Sequence, residues 1–262
     1  MDLQIKQRVA LVCGAGSGLG RAIALSLAQE GAYVAVTGRS REKLAETVSL
    51  IEQQGGTAHA WTLDLAAPAD FDQTLNAIHQ HWGDVEILVN NSGGPPPARA
   101  QGTDAERWQQ QFGLMVGSLI ELTDRVLPAM RQRGWGRVIT TTSSGVIAPI
   151  ANLALSNALR MSLLGWSKTL ASEVAADGIT VNVMVPGRIA TDRVHQLDAI
   201  KAERENSTAG DVAEKSRQTI PVGRYGDPQE YGAAAAFLAS QQAAYITGSV
   251  LRVDGGLIPS VF

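Results

Sequence analysis

Short runs of β-branched and other apolar residues alternate with longer stretches of helical period from one end of the chain to the other. The run RVALVC (8–13) predicts a strand, and LGRAIALSLAQEG predicts a helix whose Ile23, Leu25, Leu27 and small alanines suit close packing. AYVAVTG (32–38) predicts the next strand, and a charged helix follows from Arg41 to about Gln54. TAHAWTLDL (57–65), VEILVNN (85–91), GRVITTTS (136–143), GITVNVMVPG (178–187) and SVLRVDGG (249–256) repeat the theme. Strands this apolar are expected to be buried on both faces, with the intervening helices as the crossovers that parallel pairing requires. The expectation is one α/β domain over residues 1–262, a doubly wound, Rossmann-type parallel sheet of about seven strands with helices on both faces. Residues 189–220 are the least patterned: long, charged and poor in apolar periodicity, they predict a mobile lid beside a ligand site.

Composition narrows the role more than the fold. The net charge of -3 contains no block of one sign, so neither a nucleic acid nor a membrane surface is an expected partner. Cys13 is the only cysteine, which excludes an internal disulfide and points to a reducing compartment. The apolar run in MDLQIKQRVALVC is too short for a signal-peptide core or a membrane span. A soluble, cytoplasmic protein is expected.

The first strand runs into CGAGSGLG, which places Gly14, Gly18 and Gly20 in the turn before the first helix. Glycines there let a backbone approach a pyrophosphate, whose charge then rests on the helix N-terminus formed by Ser17, Gly18 and Leu19. The spacing is G-x3-G-x-G rather than the more familiar G-x-G-x-x-G. Asp64 and Leu65, NNSG at 90–93, Ser143 and PGRIAT at 186–191 each end a later strand, where open α/β sheets bind ligands. The second strand ends in TGRS, with Arg39 where an NAD site usually places an acid. A guanidinium can grip a 2′-phosphate that a carboxylate would repel, so NADP(H) is expected over NAD(H).

With these pieces the chain resembles the short-chain dehydrogenase/reductase family over essentially its whole length. GRYGDPQE and YITGSVLRVDGG look like its 3-oxoacyl-acyl-carrier-protein reductase branch. The resemblance implies that Gly14, Gly18 and Gly20 hold the pyrophosphate, Asp64 and Leu65 flank the adenine, and Asn90 braces the site. It implies that Pro186, Gly187, Ile189 and Thr191 hold the carboxamide and phosphates, and that the protein is a homotetramer. The helices around 104–132 and 152–176 and the carboxy-terminal strand are its expected interfaces. Cys13, where the family usually has threonine, is read as a buried packing residue; no metal is expected.

One departure stands out. Ketone-reducing members deliver a proton from a tyrosine, aided by a lysine four residues on, a serine thirteen residues before and an asparagine in the preceding long helix. Here Ser143 keeps its place, but Ser156 stands for the tyrosine, Arg160 for the lysine and Met115 for the asparagine. A serine hydroxyl is a poor acid near neutral pH, while Arg160 can still donate to a cofactor ribose. His195, in the lid segment, is the candidate replacement acid, and the prolines of GGPPPAR (93–99) would stiffen a pocket wall. Three functions stay open. The chain could be an NADP(H)-dependent carbonyl reductase or alcohol dehydrogenase of 3-oxoacyl-reductase type, weak or altered in activity, acting on a small carbonyl or hydroxyl compound. It could instead be a silent NADP(H)-binding regulatory protein, or a lyase or isomerase using Ser143, Arg160 and the cofactor without net redox change.

Overall fold

The computed structural model describes residues 1–261. Seven strands form: β1 (Val9–Val12), β2 (Tyr33–Gly38), β3 (Thr57–Thr62), β4 (Ile87–Asn90), β5 (Gly136–Thr141), β6 (Ile179–Pro186) and β7 (Val250–Val253). They make one sheet in the order β3-β2-β1-β4-β5-β6-β7, and every pairing is parallel. Alternate residues of a strand serve opposite faces. Ala10 and Val12, Val34 and Val36, and Ile87 and Val89 enter one apolar layer with Ile23, Leu27 and Leu238. Val9 and Leu11, Ala35 and Leu88 enter the other, with Phe71, Ile78, Leu122 and Val174. The central strands are therefore buried on both faces, as their sequences require. β3 and β7 are not: as sheet edges they are only partly covered, and the expectation of two-sided burial fails for them.

The helices are α1 (Gly18–Gln29), α2 (Arg41–Gln53), α3 (Phe71–Trp82), α4 (Ala105–Phe112), α5 (Ser118–Arg133), α6 (Ala154–Val174), α7 (Asp192–Glu205), α8 (Ala209–Gln218) and α9 (Pro228–Ala239). α1 and α9 lie against each other at Gly232, where a Cβ would come within 2.5 Å of the Ala22 carbonyl oxygen. A π turn, Gly113–Gly117, joins α4 to α5. The region read as least patterned, 189–220, holds α7 and α8. Its period is faint in the sequence because so few positions are buried, Asp198 and Ala202 on α7 and Val212 and Ser216 on α8. Local signals set its boundaries: Asn206 adopts left-handed backbone after α7, and Thr208 with Asp211 forms a capping box on α8.

The strands run shorter at their carboxyl ends than the apolar runs suggested, because Leu63–Leu65 and Thr142–Ser143 leave the ladder to form loops. The order reverses between β1 and β4, and the loops leaving these strands open a crevice at their carboxyl ends.

Candidate active site

That crevice is a cleft of about 1000 Å³. Its floor is the turn between β1 and α1. Gly14, Ser17, Gly18 and Leu19 line it; Gly14 and Gly18 have φ of +60° and +55°, which an L side chain resists. Gly20 lies just behind: a Cβ there would sit 2.2 Å from the Gly14 carbonyl oxygen. Ser17 stands at the N-cap of α1 in extended conformation and makes no side-chain cap bond, so the first-turn amides are not spent on it. A backbone stripped of side chains, facing the positive end of a helix, fits a pyrophosphate. Pro186, Gly187, Ile189 and Thr191 line the cleft opposite this turn, with the Thr191 side chain 3.7 Å from the Cβ position of Gly18.

At the end beyond β2, Arg39, Ser40, Lys43, Asp64 and Leu65 line the cleft. Arg39 is exposed, and among the described residues neither it nor Lys43 forms an ion pair with a carboxylate. Asp64 is turned to its own loop, accepting from the Ala66 amide at 2.9 Å. Two cations face this end without a fixed partner.

At the other end the structure brings Ser143, Ser156 and Arg160 to one cleft wall. The Ser143 hydroxyl accepts from the Gly145 amide at 3.2 Å, which leaves its proton free to donate to a carbonyl oxygen. Asn157 clamps the same loop to α6, donating to the Ile150 carbonyl at 2.8 Å and accepting from its amide at 3.3 Å. Arg160 is buried and largely committed to backbone. Its Nη2 donates to the carbonyls of Ser92 and Gly93 at 2.9 and 3.1 Å, and Nη1 donates to that of Thr141 at 3.2 Å. Only Nε and one Nη1 hydrogen remain for a ligand. Burial, with a smaller contribution from Arg193, lowers its pKa to about 10, so it stays cationic at neutral pH.

Besides Gly20, four sequence candidates lie outside the cleft lining. Asn90 is fully buried and donates to the Thr123 hydroxyl at 2.9 Å; its neighbour Asn91 lines the cleft and braces β4 to β1 by donating to the Cys13 carbonyl at 3.1 Å. Met115 packs in the core inside the π turn. His195 is exposed on α7 while Val194 and Leu197 face the cleft, because a helix turns about 100° per residue and His195 falls on the far side. It is not brought to the site. Cys13 is buried, and burial pushes its thiol up to about 12, a packing residue as expected.

Comparison with known proteins settles the family. Residues 14–258 match the family model described as Enoyl-(Acyl carrier protein) reductase. The chain is 38% identical over 257 residues to the 3-oxoacyl-[acyl-carrier-protein] reductase FabG of Escherichia coli (strain K12), covering 97% of this chain and 99% of that one. The chain belongs to the short-chain dehydrogenase/reductase family. Among solved structures, this short-chain dehydrogenase/reductase is similar to L-sorbose reductase from Gluconobacter frateurii complexed with NADPH and L-sorbose, with a TM-score of 0.93 at 30% identity and 100% of both chains covered. It is similar also to the actinorhodin polyketide ketoreductase with NADPH, with a TM-score of 0.91 at 30% identity, over 97% of this chain and 99% of that one. It is an oxidoreductase of this family, related to the 3-oxoacyl reductases.

Several residues that shape the site of this family member escaped the sequence reading. Ser92 and Gly93 hold Arg160 through their carbonyls, a role no side-chain pattern announces. Arg188 contacts Asp198 and donates from Nε to the Tyr225 hydroxyl at 3.3 Å, and Tyr225 donates to Asp198 at 2.7 Å. This trio ties α7 to the loop before α9. Arg193 reaches from α7 across the cleft to the Pro95 carbonyl at 3.2 Å. For Arg193 and Asp198 the sequence signal was the density of charge in a segment of faint period, and for the others it was only their place within the quoted motifs. Among the described residues no helix is long and apolar enough to cross a membrane.

Proposed function

We propose that the protein is an NADP(H)-dependent carbonyl reductase of 3-oxoacyl-reductase type, working without the usual tyrosine and lysine. The observation that carries this reading is the single cleft that gathers the glycine turn, the unpaired Arg39 and Lys43, and Ser143. Gly14, Ser17, Gly18 and Leu19 would hold the pyrophosphate, with Gly20 and Asn90 supporting from behind. Arg39 would take the 2′-phosphate, with Asp64 and Leu65 at the adenine and Pro186, Gly187, Ile189 and Thr191 at the nicotinamide. NADPH is the cofactor of similar solved reductases, which supports the assignment. When bound, the reduced nicotinamide supplies a hydride to a carbonyl carbon, and the oxygen needs one proton to complete the alcohol. Ser143 would orient that oxygen by donating its hydroxyl proton. Arg160 would hold the two backbone segments that border the nicotinamide and offer its remaining hydrogens to the ribose.

No tyrosine, histidine or cysteine lines the cleft among the described residues, and its lysines lie on α2, α7 and α8. In this reading water supplies the proton, and turnover is slow by the about 10²–10⁴-fold that a general acid contributes. The same observation favours a second reading, an NADP(H)-binding protein without turnover. The whole chain would act as one domain with 189–220 as the lid over the substrate, assembled as a homotetramer. Exposed Phe112 and Met161 on the long helices and Tyr245 and Val250 near the carboxy-terminal edge support such interfaces. The deciding experiment follows NADPH oxidation with a panel of ketones in the parent and in the double variant Ser156→Tyr, Arg160→Lys. Slow parental turnover raised at least tenfold in the double variant, the lower part of the range a general acid supplies, supports the reductase reading. NADPH binding with no turnover in either leaves the silent protein.

A further inference from the structure

The net charge of the protein is -3, yet the substrate end of the cleft is positive. Arg193 and Lys201 of α7 and Lys215 of α8 line it, beside the buried Arg160. Arg188 does not add to this surplus, because Asp198 neutralises it. Asp192 is the only carboxylate lining this end among the described residues, since Asp64 lies at the opposite end beyond β2.

Arg160 is held by neutral carbonyls alone, and Arg193, Lys201 and Lys215 have weak internal partners at most. Arg193 makes one hydrogen bond, to the neutral Pro95 carbonyl, and no ion pair among the described residues. Lys201 meets Glu205 only at 3.9 Å. Asp211, one turn before Lys215, feels that lysine's charge from a distance, while its hydrogen bonds go to the Thr208 amide and hydroxyl at 3.3 and 2.8 Å. Arg160 and Arg193 stand close enough for the second to depress the protonation of the first. Like charges held together without a counterion raise the energy of the unliganded site, and an anion that enters between them relieves it. The remaining wall is apolar, formed by Val194, Leu197, Pro95, Ile150, Leu153 and Leu257. A ligand fitting both features has a short apolar body and one negative end.

We propose that the substrate is a carbonyl compound bearing a carboxylate or phosphate ester, gripped by Arg193, with Lys201 and Lys215 drawing it in from the lid. The fork of a guanidinium suits either anion, and cations lining a concave wall raise the local concentration of a negatively charged ligand. The inference rests on the reductase reading for its activity arm, but its binding arm stands apart from turnover.

The test uses two matched pairs, acetoacetate against methyl acetoacetate and dihydroxyacetone phosphate against dihydroxyacetone. With NADPH, kcat/KM should favour the anionic member of at least one pair by about tenfold, the factor set by 1.4 kcal/mol. Which pair shows it tells carboxylate from phosphate ester. Arg193→Gln should abolish the preference while changing the Kd for NADPH by less than about twofold, and Arg193→Lys should restore part of it. Lys201→Gln with Lys215→Gln should lower kcat/KM for the anion at low ionic strength and not at high. Neutral members preferred in both pairs would overturn the proposal. So would an Arg193→Gln variant whose NADPH affinity falls as much as its anion preference, since Arg193 would then serve the cofactor phosphates. If the parent shows no turnover, thermal shift of the NADP⁺-loaded protein with the same four compounds decides. Stabilisation by an anion that Arg193→Gln removes upholds the anion site and rejects only the reductase reading; stabilisation by NADP⁺ with none from either anion rejects the site itself.

Discussion

Replacing Arg160 by methionine separates two roles that the same guanidinium could play. Methionine fills the volume with an unbranched side chain, so no large cavity opens. What disappears is three hydrogen bonds from a charged donor to the Ser92, Gly93 and Thr141 carbonyls. Each such bond contributes about 1.5–3 kcal/mol, so the lower end gives about 4 to 5 kcal/mol for the set. Burial opposes it: a fall from 12.5 to about 10 corresponds to roughly 3 to 4 kcal/mol at 1.36 kcal/mol per unit. The balance is a loss of about 1 kcal/mol, which lowers the melting temperature by about 2–4 °C for a domain of this size. The sign of the pH effect follows. The folded state holds this proton less tightly than the unfolded state, so the cost of the buried charge is fully present at neutral pH and fades only above about 10. Thermal melts of the cofactor-free protein at neutral pH, with NADPH titrations by fluorescence, give the answer. A variant with unchanged melting temperature and weakened NADPH binding would refute the reasoning, because Arg160 would then be a ligand and not a brace. A higher melting temperature would show that the buried charge outweighs its three bonds.

The other expectations follow from single features of the cleft. Arg39→Asp should weaken NADPH binding by at least about tenfold and spare or improve NADH; equal affinities of the parent for the two would remove Arg39 from the 2′-phosphate. Gly20→Ala forces a methyl to within 2.2 Å of the Gly14 carbonyl oxygen, so the turn must open. Isothermal titration should show NADPH affinity falling by more than about a hundredfold, or the variant failing to fold, and parental affinity would mean that the turn is softer than its packing implies. Light scattering at micromolar protein should give four times the 27.7 kDa chain mass, and a mass equal to one chain rules out the tetramer.

Much of the sheet could be read from the chain because β1, β2 and β4 bury both faces, which makes them apolar at nearly every position, Thr37 and Asn90 excepted. The edges were less legible. β3 carries His59 and Trp61 on a half-covered surface, and nothing in a short apolar run says which strand will lie outermost. The glycine turn was legible for the opposite reason: Gly14, Gly18 and Gly20 are absences of side chains, and few other constraints demand them at that spacing. Backbone-mediated features stayed hidden. Arg160 reads in sequence as a cation aimed at a ligand, whereas the fold gives it three carbonyls, two from the loop after β4 and one from the end of β5. Asn90 and Asn91 show the same limit, since one residue of register decides which enters the core and which enters the cleft. His195 failed for want of a helical phase, which α7 supplies only through its partners Arg188 and Tyr225.

In the proposed reductase reading, with Arg160 and Ser156 standing for the lysine and tyrosine that the family resemblance implies, the pair acquires a physical logic once Arg193 is placed beside it. A carbonyl receiving hydride develops negative charge on oxygen, and that charge can be met by a proton or by fixed positive groups. A tyrosine answers in the first way, and only while a neighbouring cation keeps its phenol acidic enough. In the proposed reading Arg160 and Arg193 add a fixed positive field that steadies the charge until water supplies the proton, while the Arg193 fork holds the anionic end of the substrate. Neither needs to titrate, since Arg160 keeps its proton up to about pH 10. Their cost is desolvation, and the three backbone carbonyls around Arg160 offset it without introducing a carboxylate that would cancel the field. An internal acid beside either arginine would have stabilised the fold more cheaply. Among the described residues neither arginine forms an ion pair, with Asp192 or with any other carboxylate, and that keeps the field available to a ligand in a way that fold stability alone does not account for.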